Sequence, residues 1–568
     1  MDTSRLKKFA QYARRALIEQ VSSKMKLVLA AEGPARRENP AAVSELEKRI
    51  AATSADKVVE TAAYTWFNRF CALRFMDANG YNKISIVSPL QDQTQPEILA
   101  EAKAGHIDEE MVPDAVARKV LALLSGAAPS REPQAEAYRM MVTACCNFYH
   151  NTMPFLFEKI ADYTELLMPD DLLSDNSILA AAREAMTAAD CADVEIIGWL
   201  YQFYISEKKA EVFEGLKKNR KITPENIPAA TQLFTPAWIV KYLVENSLGR
   251  LWMLNRPQSK LRGRMEYYID DGGKNSAGGA GENNFIKIGS PEEIKICDPA
   301  CGSGHMLVYA FDLLYDIYEE EGHDPSDIVE KILKNNLYGV EIDGRAGTLA
   351  SFALAMKARG KYKRYFRNPI QPNICVLENI RFDKEELEDY MSEVGRDLFT
   401  APLETTLRQF EESDNFGSLI RPALTNVGDI LQTLRARGIE EKLFISKTHE
   451  KVLKVLKQAD YLSPKYHVVV ANPPYMGGKG MNDDIKKFLQ QNYEDVKSDL
   501  FSAFVIRNTM LSLKKGLIGI MCPNVWMYIS SYEKLRNYIL EQKTLTNLVE
   551  LPLTGFKGAT VQICAYNL

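Results

Sequence analysis

The stretch of the chain that points most directly to chemistry is Ala471 to Tyr475, ANPPY, which follows the apolar run YHVVV. A planar amine such as the N6 amino group of adenine is a weak nucleophile because its lone pair is delocalised into the ring. The Asn472 side-chain oxygen and the Pro473 backbone carbonyl can both accept hydrogen bonds from an NH2 group. Together they would draw it toward tetrahedral geometry and free the lone pair for attack on a positioned methyl group. Pro473 and Pro474 hold the turn rigid. Tyr475 offers a ring face for an extruded base, which a duplex substrate requires because N6 is unreachable for in-line attack inside the helix. Such chemistry rests on positioning and needs neither a general base before attack nor a covalent intermediate.

The matching donor site lies upstream. Asp298 to Gly304, DPACGSG, joins the strand-like EIKICDP to the helical HMLVYAFDLLYDIY. Ligands bind outside the carboxyl ends of strands in doubly wound sheets, and glycines there let the backbone come close to them. Pro299, Ala300, Gly302 and Gly304 would cradle the methionine half of S-adenosylmethionine, with the Asp298 carboxylate taking its ammonium group. About forty residues on, GVEID places Glu341 at a strand end, where an acidic residue accepts hydrogen bonds from ribose hydroxyls, and Ile342 would lie against the adenine. Asp343 fits a helix N-cap better than Glu341 does. A third strand ends at Glu378 and Asn379, either of which could read the adenine edge. Thr235 and Pro236, in QLFTPAWIVKYLVE, could open a helix whose first amides face the cofactor carboxylate. Phe556, in the Gly-flanked LPLTGFKGATVQI, could sandwich the base opposite Tyr475. Either motif alone also fits an ordinary turn; in sequence they are far more specific.

These loops need a sheet to hold them. From Phe285 onward short β-branched runs alternate with helical ones, which predicts a parallel sheet of βαβ units. Seven strands are expected, at EIKICDP, NLYGVEID, NICVLEN, YHVVVANPP, GLIGIMCP, LTNLVELP and TVQICAYN. The fold class is α/β, a Rossmann-like methyltransferase sheet. Apolar spacing of three and four over residues 1–221 predicts an all-α N-terminal domain ahead of a catalytic domain at 222–568, with a helical insertion at about 380–465. DDGGKNSAGGAGENN, from Asp270, lacks the order of a phosphate-binding P-loop and reads as a surface loop.

Composition narrows the field. No apolar run reaches bilayer-spanning length and the N-terminus has no cleavable hydrophobic core, so a cytoplasmic protein with no membrane partner is expected. Nine scattered cysteines without a CxxC pair read as reduced and mostly buried, and six unclustered histidines suggest no metal. Pro169-Asp170 and Glu207-x-Lys209 spell a superficial PD…ExK nuclease, but WLYQFYISEKKAEVFEGLKK has helical spacing, whereas that chemistry needs both halves on adjacent strands. A net charge of −5 is awkward for a DNA enzyme but does not exclude DNA binding, since a basic stripe can sit on an acidic protein; it suggests that much of the DNA grip lies elsewhere.

FTP, DPACGSG, GVEID, ANPPY, SDLFSAF and GF…ATV, in that order, resemble the γ-type amino-methyltransferases of DNA. The N-terminal AYTWFNRFCALRFMDANGYN and IGWLYQFYISEKK narrow the likeness to the PglX-like adenine-specific DNA methyltransferases of BREX phage-defence systems. The resemblance implies S-adenosylmethionine as cofactor, double-stranded DNA as substrate and other BREX proteins as partners. It assigns cofactor roles to Thr235, Asp298, Ala300, Gly302 and Glu341, catalytic roles to Asn472, Pro473 and Tyr475, and base stacking to Phe556. It also implies a C-terminal target-recognition domain, so this chain is expected to be the catalytic half of a larger enzyme. Two rivals remain: a protein or RNA amino-methyltransferase, and a DNA-recognition module of a defence complex with little activity of its own.

Overall fold

A computed structural model describes residues 3–158, 163–270, 285–395, 400–424, 426–437, 445–463, 465–553 and 561–568. The chain divides into two compact units, residues 1–207 with 363–369, and residues 208–362 with 370–568.

The first unit is helical. Thr3–Val28 buries Leu6, Phe9, Ala13, Leu17, Val21 and Met25, spaced by three and four residues along one stripe. That stripe packs on helices Ala55–Ala78 and Glu195–Tyr204, where the Phe67 and Tyr204 rings stand 4.5 Å apart. Buried Arg69 lies over the Trp66 ring at 5.1 Å and donates to the Leu156 and Glu158 carbonyls, so its charge is solvated by dipoles.

The second unit is built on one seven-stranded sheet. Its strands are β1 (Ile296–Asp298), β2 (Leu337–Glu341), β3 (Asn373–Val376), β4 (Tyr466–Ala471), β5 (Ser512–Pro523), β6 (Asn547–Leu551) and β7 (Ile563–Asn567), in the order 3-2-1-4-5-7-6. All seven expected strands form. The sheet is mixed, however: β7 runs antiparallel between β5 and β6, with Cys522 opposite Cys564 and Glu550 opposite Cys564 on its other side. Only eleven residues join β6 to β7, about the minimum that a parallel crossover with its helix needs, whereas an antiparallel return is reached by a short connection. β1 to β5 are parallel, β1, β4 and the second half of β5 are largely buried, and helices His305–Glu320 and Gly344–Lys361 pack against the β1–β3 side.

Between β3 and β4 helices Lys384–Val394, Thr400–Gln409, Val427–Ala436 and Ser446–Tyr461 enclose their own core, in which Leu387, Tyr390, Leu407, Phe410, Val455 and Leu456 meet. All nine cysteines are buried and unbridged. Glu207 and Lys209 lie on helix Ser206–Lys217, not on a strand as the nuclease pattern requires. Among the described residues no helix is long and apolar enough to cross a membrane, and no group of three His, Cys, Asp or Glu is placed to hold a metal ion.

Candidate active site

The order 3-2-1-4 makes neighbours of the four strand ends carrying the sequence motifs. β1 delivers Asp298, which is only 2% exposed, and its Oδ1 accepts from the Ala300 amide at 3.1 Å. Burial, partly offset by that hydrogen bond, pushes its pKa up to about 8. A carboxylate so placed is short of a cation. Gly302 follows with φ +54°, and a Cβ on it would meet nothing within 4 Å, so the turn leaves open space on that side. Gly304, with φ +83°, starts the helix His305–Glu320; a Cβ there would lie 2.9 Å from the Ala350 Cβ. The first glycine therefore faces room for a ligand, and the second allows two helices to close up.

Glu341 ends β2. Its Oε2 accepts from the Gly302 amide at 2.7 Å, and its Oε1 from the Ile342 and Asp343 amides at 2.9 Å each. Three of its roughly four lone-pair positions are thereby used, which leaves space at Oε2 for about one further donor such as a hydroxyl. Burial outweighs these hydrogen bonds and raises its pKa to about 7. Asp343 caps the helix Gly344–Lys361 by accepting from the Arg345 amide. Ile342 is half-buried against both the sheet core and the insertion core.

Beyond β3, Glu378 and Asn379 are exposed. Gln458 pins the Glu378 backbone from both sides, at 3.0 and 3.3 Å, and the Asn379 Oδ1 accepts from the Asp414 amide at 3.0 Å. The Asn379 side-chain oxygen thus anchors the insertion, while the Glu378 carboxylate faces outward.

β4 delivers Asn472. Its Nδ2 donates to the Leu233 carbonyl and to the Thr235 Oγ1, both at 3.0 Å, and its Oδ1 accepts from the Tyr475 hydroxyl at 2.5 Å. Two acceptors on one side and a donor on the other determine which end of the amide is oxygen. Pro473 is buried and Pro474 half-buried. The Tyr475 ring stands edge-on to Phe501 at 6.4 Å, and its hydroxyl also approaches the Met521 carbonyl at 3.3 Å. Pro236 is the N-cap of helix Ala237–Val244, and Phe234 stacks on His305 at 4.4 Å, tying the FTP segment to the helix after DPACGSG. Phe556 lies outside the described residues.

Two further contributors have no role that the sequence alone assigns. The Asp499 Oδ1 accepts from the Met476 amide at 2.9 Å and from the Phe501 amide at 3.2 Å, so one carboxylate caps helix Leu500–Leu511 and fixes the loop after Tyr475. Burial raises its pKa to about 6. The insertion returns Ser418 to the site, where its hydroxyl donates to the Pro299 carbonyl at 2.5 Å. Buried Arg507 then grips the Ser418, Ile420 and Leu462 carbonyls at 2.6–2.8 Å. Asp499 was visible only as an acid within SDLFSAF, and Ser418 as one of many polar residues in the insertion.

Residues 335–556 match the Eco57I restriction-modification methylase family, and residues 288–370 the DNA-methyltransferase domain of MmeI. The chain is 37% identical over 551 residues to the adenine-specific methyltransferase BrxX of Escherichia coli O9:H4 (strain HS), covering 92% of this chain and 45% of that protein. It is 30% identical to the adenine-specific methyltransferase PglX of Lacticaseibacillus casei (strain Zhang), covering all of this chain and 50% of that protein. This chain is a homologue of BrxX and PglX. It spans about half the length of these curated relatives. Among solved structures, the type IIL restriction-modification enzyme MmeI in complex with DNA aligns over 100% of this chain and 57% of its own, at 12% identity and a TM-score of 0.41.

Proposed function

We propose that this chain transfers a methyl group from S-adenosylmethionine to the N6 amino group of an adenine extruded from DNA, and that it marks host DNA within a BREX phage-defence system. Catalysis is assigned to residues 222–568 and scaffold or partner contact to the helical residues 1–221.

The observation that carries the reading is the fixed Asn472 amide, with both Nδ2 hydrogens committed and its oxygen directed to the Tyr475 side. An oxygen held in this way can accept from an aromatic amine without first losing rotamer freedom. Pro473 adds a second carbonyl from a stiff turn. Tyr475 supplies the stacking face, and Phe556 is proposed as the opposite wall. S-adenosylmethionine, when bound, supplies an electrophilic methyl on a sulfonium. Asp298 fits its ammonium group, Gly302 gives its methionine part room, Glu341 accepts from the ribose, and Ile342 with Glu378 or Asn379 borders the adenine. No metal is assigned a role.

The test offers tritiated S-adenosylmethionine to the purified chain with unmodified duplex DNA, RNA or protein. Label in DNA supports the reading; label confined to RNA or protein overturns it.

A further inference from the structure

The whole chain is acidic, with 75 Asp and Glu against 70 Lys and Arg. Cations nevertheless collect beside the loop that follows Tyr475. The run Lys217, Lys218, Arg220, Lys221 leads into Ile222, whose amide donates to the Gly480 carbonyl at 3.0 Å. One residue earlier, the Lys221 Nζ donates to the Lys479 carbonyl at 2.8 Å. Asn482 closes the join by donating to the Ile222 carbonyl at 3.3 Å while capping helix Asp483–Asn492 through the Ile485 amide. Gly480 permits the close approach: a Cβ there would press on the Met476 Cγ at 3.2 Å and the Ile222 Cδ1 at 3.3 Å.

Two segments some 260 residues apart are thus fastened so that their lysines share one rim. Lys218, Arg220, Lys221, Lys479 and Lys486 are either exposed or half-exposed. Lys486 faces Lys221, and the apposed ammonium groups hold the Lys221 pKa below its ordinary value. Asp483, 3.8 Å from the Lys486 Nζ with a side chain 97% exposed, offsets part of this charge. Among the described residues Lys221 has no ion pair of its own. Fixing like charges together at a surface is unfavourable unless an anion visits them.

The same loop runs back to the proposed catalytic residues, since Met476 follows Tyr475 directly and its amide is held by Asp499. Ammonium groups on flexible stems suit a string of phosphates. They contribute grip and register without reading bases. An enzyme that holds a base outside the stack also has to hold the strained backbone on either side. We propose that Lys221, Lys479 and Lys486 form a clamp for the DNA phosphates flanking the nucleotide delivered to Asn472 and Tyr475. This proposal rests on the reading of the site as a DNA methyltransferase.

The test measures binding of duplex DNA by the whole chain over a salt series, for the parent and for the triple variant Lys221→Gln/Lys479→Gln/Lys486→Gln. A control triple, Lys514→Gln/Lys515→Gln/Lys543→Gln, removes equal charge at the amino ends of β5 and β6. Each phosphate contact contributes about 0.9 to the slope of log affinity against log salt, so the clamp triple should flatten it by up to about 2.7. The control should leave the slope near that of the parent, and S-adenosylmethionine affinity should be the same in all three. A clamp triple with the control's slope, in a parent that binds and methylates DNA, overturns the clamp and leaves the active-site reading standing. A parent that methylates RNA or protein but not DNA overturns the active-site reading, and the clamp with it.

Discussion

The Asn472 Nδ2 donates to the Thr235 hydroxyl at 3.0 Å across 237 residues of chain, joining the segment before β1 to the turn after β4. This bond makes Thr235 a positioning residue for Asn472. Thr235→Val keeps the shape and leaves a half-buried N–H without its acceptor, at a cost of about 1–3 kcal/mol of stability. The methyl-transfer rate should fall by a larger factor than S-adenosylmethionine affinity, and Thr235→Ser should restore the rate. Single-turnover kinetics with an equilibrium titration checks both.

Gly302 and Gly304, in the loop proposed to hold the cofactor, should separate ligand binding from folding. Gly304→Ala combines a left-handed φ with overlap on Ala350 and should cost about 2–4 kcal/mol, seen as a lowered unfolding midpoint. Gly302→Ala has open space around the new methyl, so it should cost about 1–2 kcal/mol in backbone strain. Its larger effect should be on S-adenosylmethionine affinity, because the methyl enters the cofactor's space. Unchanged affinity in Gly302→Ala would remove that turn from the site.

Much of this arrangement was legible in the sequence. β-branched runs between turn residues located all seven strands, because a buried parallel strand has to be apolar on both faces. The direction of β7 was not legible, since apolar alternation reads the same either way along a strand. The Thr235 to Asn472 bond was hidden for a similar reason: neither residue has a local partner that would reveal a contact 237 residues away. Glu341 could be read as an acid at a strand end, but not the engagement of its carboxylate by three amides, which depends on the turn of Gly302. Ser418 reaches Pro299 only because the insertion folds around its own core, and no spacing rule records that return.

Protonation of the buried acids should couple to stability and to cofactor binding. Asp298, Glu341 and Asp499 have folded pKa values raised to about 8, 7 and 6, above unfolded values near 4. Their contribution is therefore fully present below about pH 4 and is lost as pH rises through about 6 to 8. The ligand-free protein should show an unfolding midpoint that falls from about pH 4, most steeply up to about pH 6, and levels off above about pH 8 on account of these groups. Binding an ammonium ion favours ionised Asp298, so S-adenosylmethionine affinity should climb between about pH 6 and 7.5 with release of a proton. Calorimetry at pH 7 in buffers of different ionisation enthalpy measures that proton, and a buffer-independent enthalpy would contradict the assignment.

Asp499 links the helix that follows it to the loop after Tyr475. Asp499→Ala removes an N-cap and should cost about 1–2 kcal/mol. It also releases the Met476 amide, so methyl transfer should slow more than cofactor affinity falls. Asp499→Asn, which keeps an acceptor oxygen, should recover most of both losses. Equal rates in the parent and Asp499→Ala would separate the loop from catalysis.

The central claim is that Asn472 and Tyr475 present an adenine amino group to the methyl donor. The most direct measurement incubates the chain with labelled S-adenosylmethionine and unmodified duplex DNA, digests the product to nucleosides and identifies the labelled base. The account predicts label in N6-methyldeoxyadenosine with the parent. With Asn472→Ala it predicts a loss of at least about a hundredfold while cofactor affinity is retained. Label in a methylated cytosine, or equal labelling by parent and variant, would contradict it.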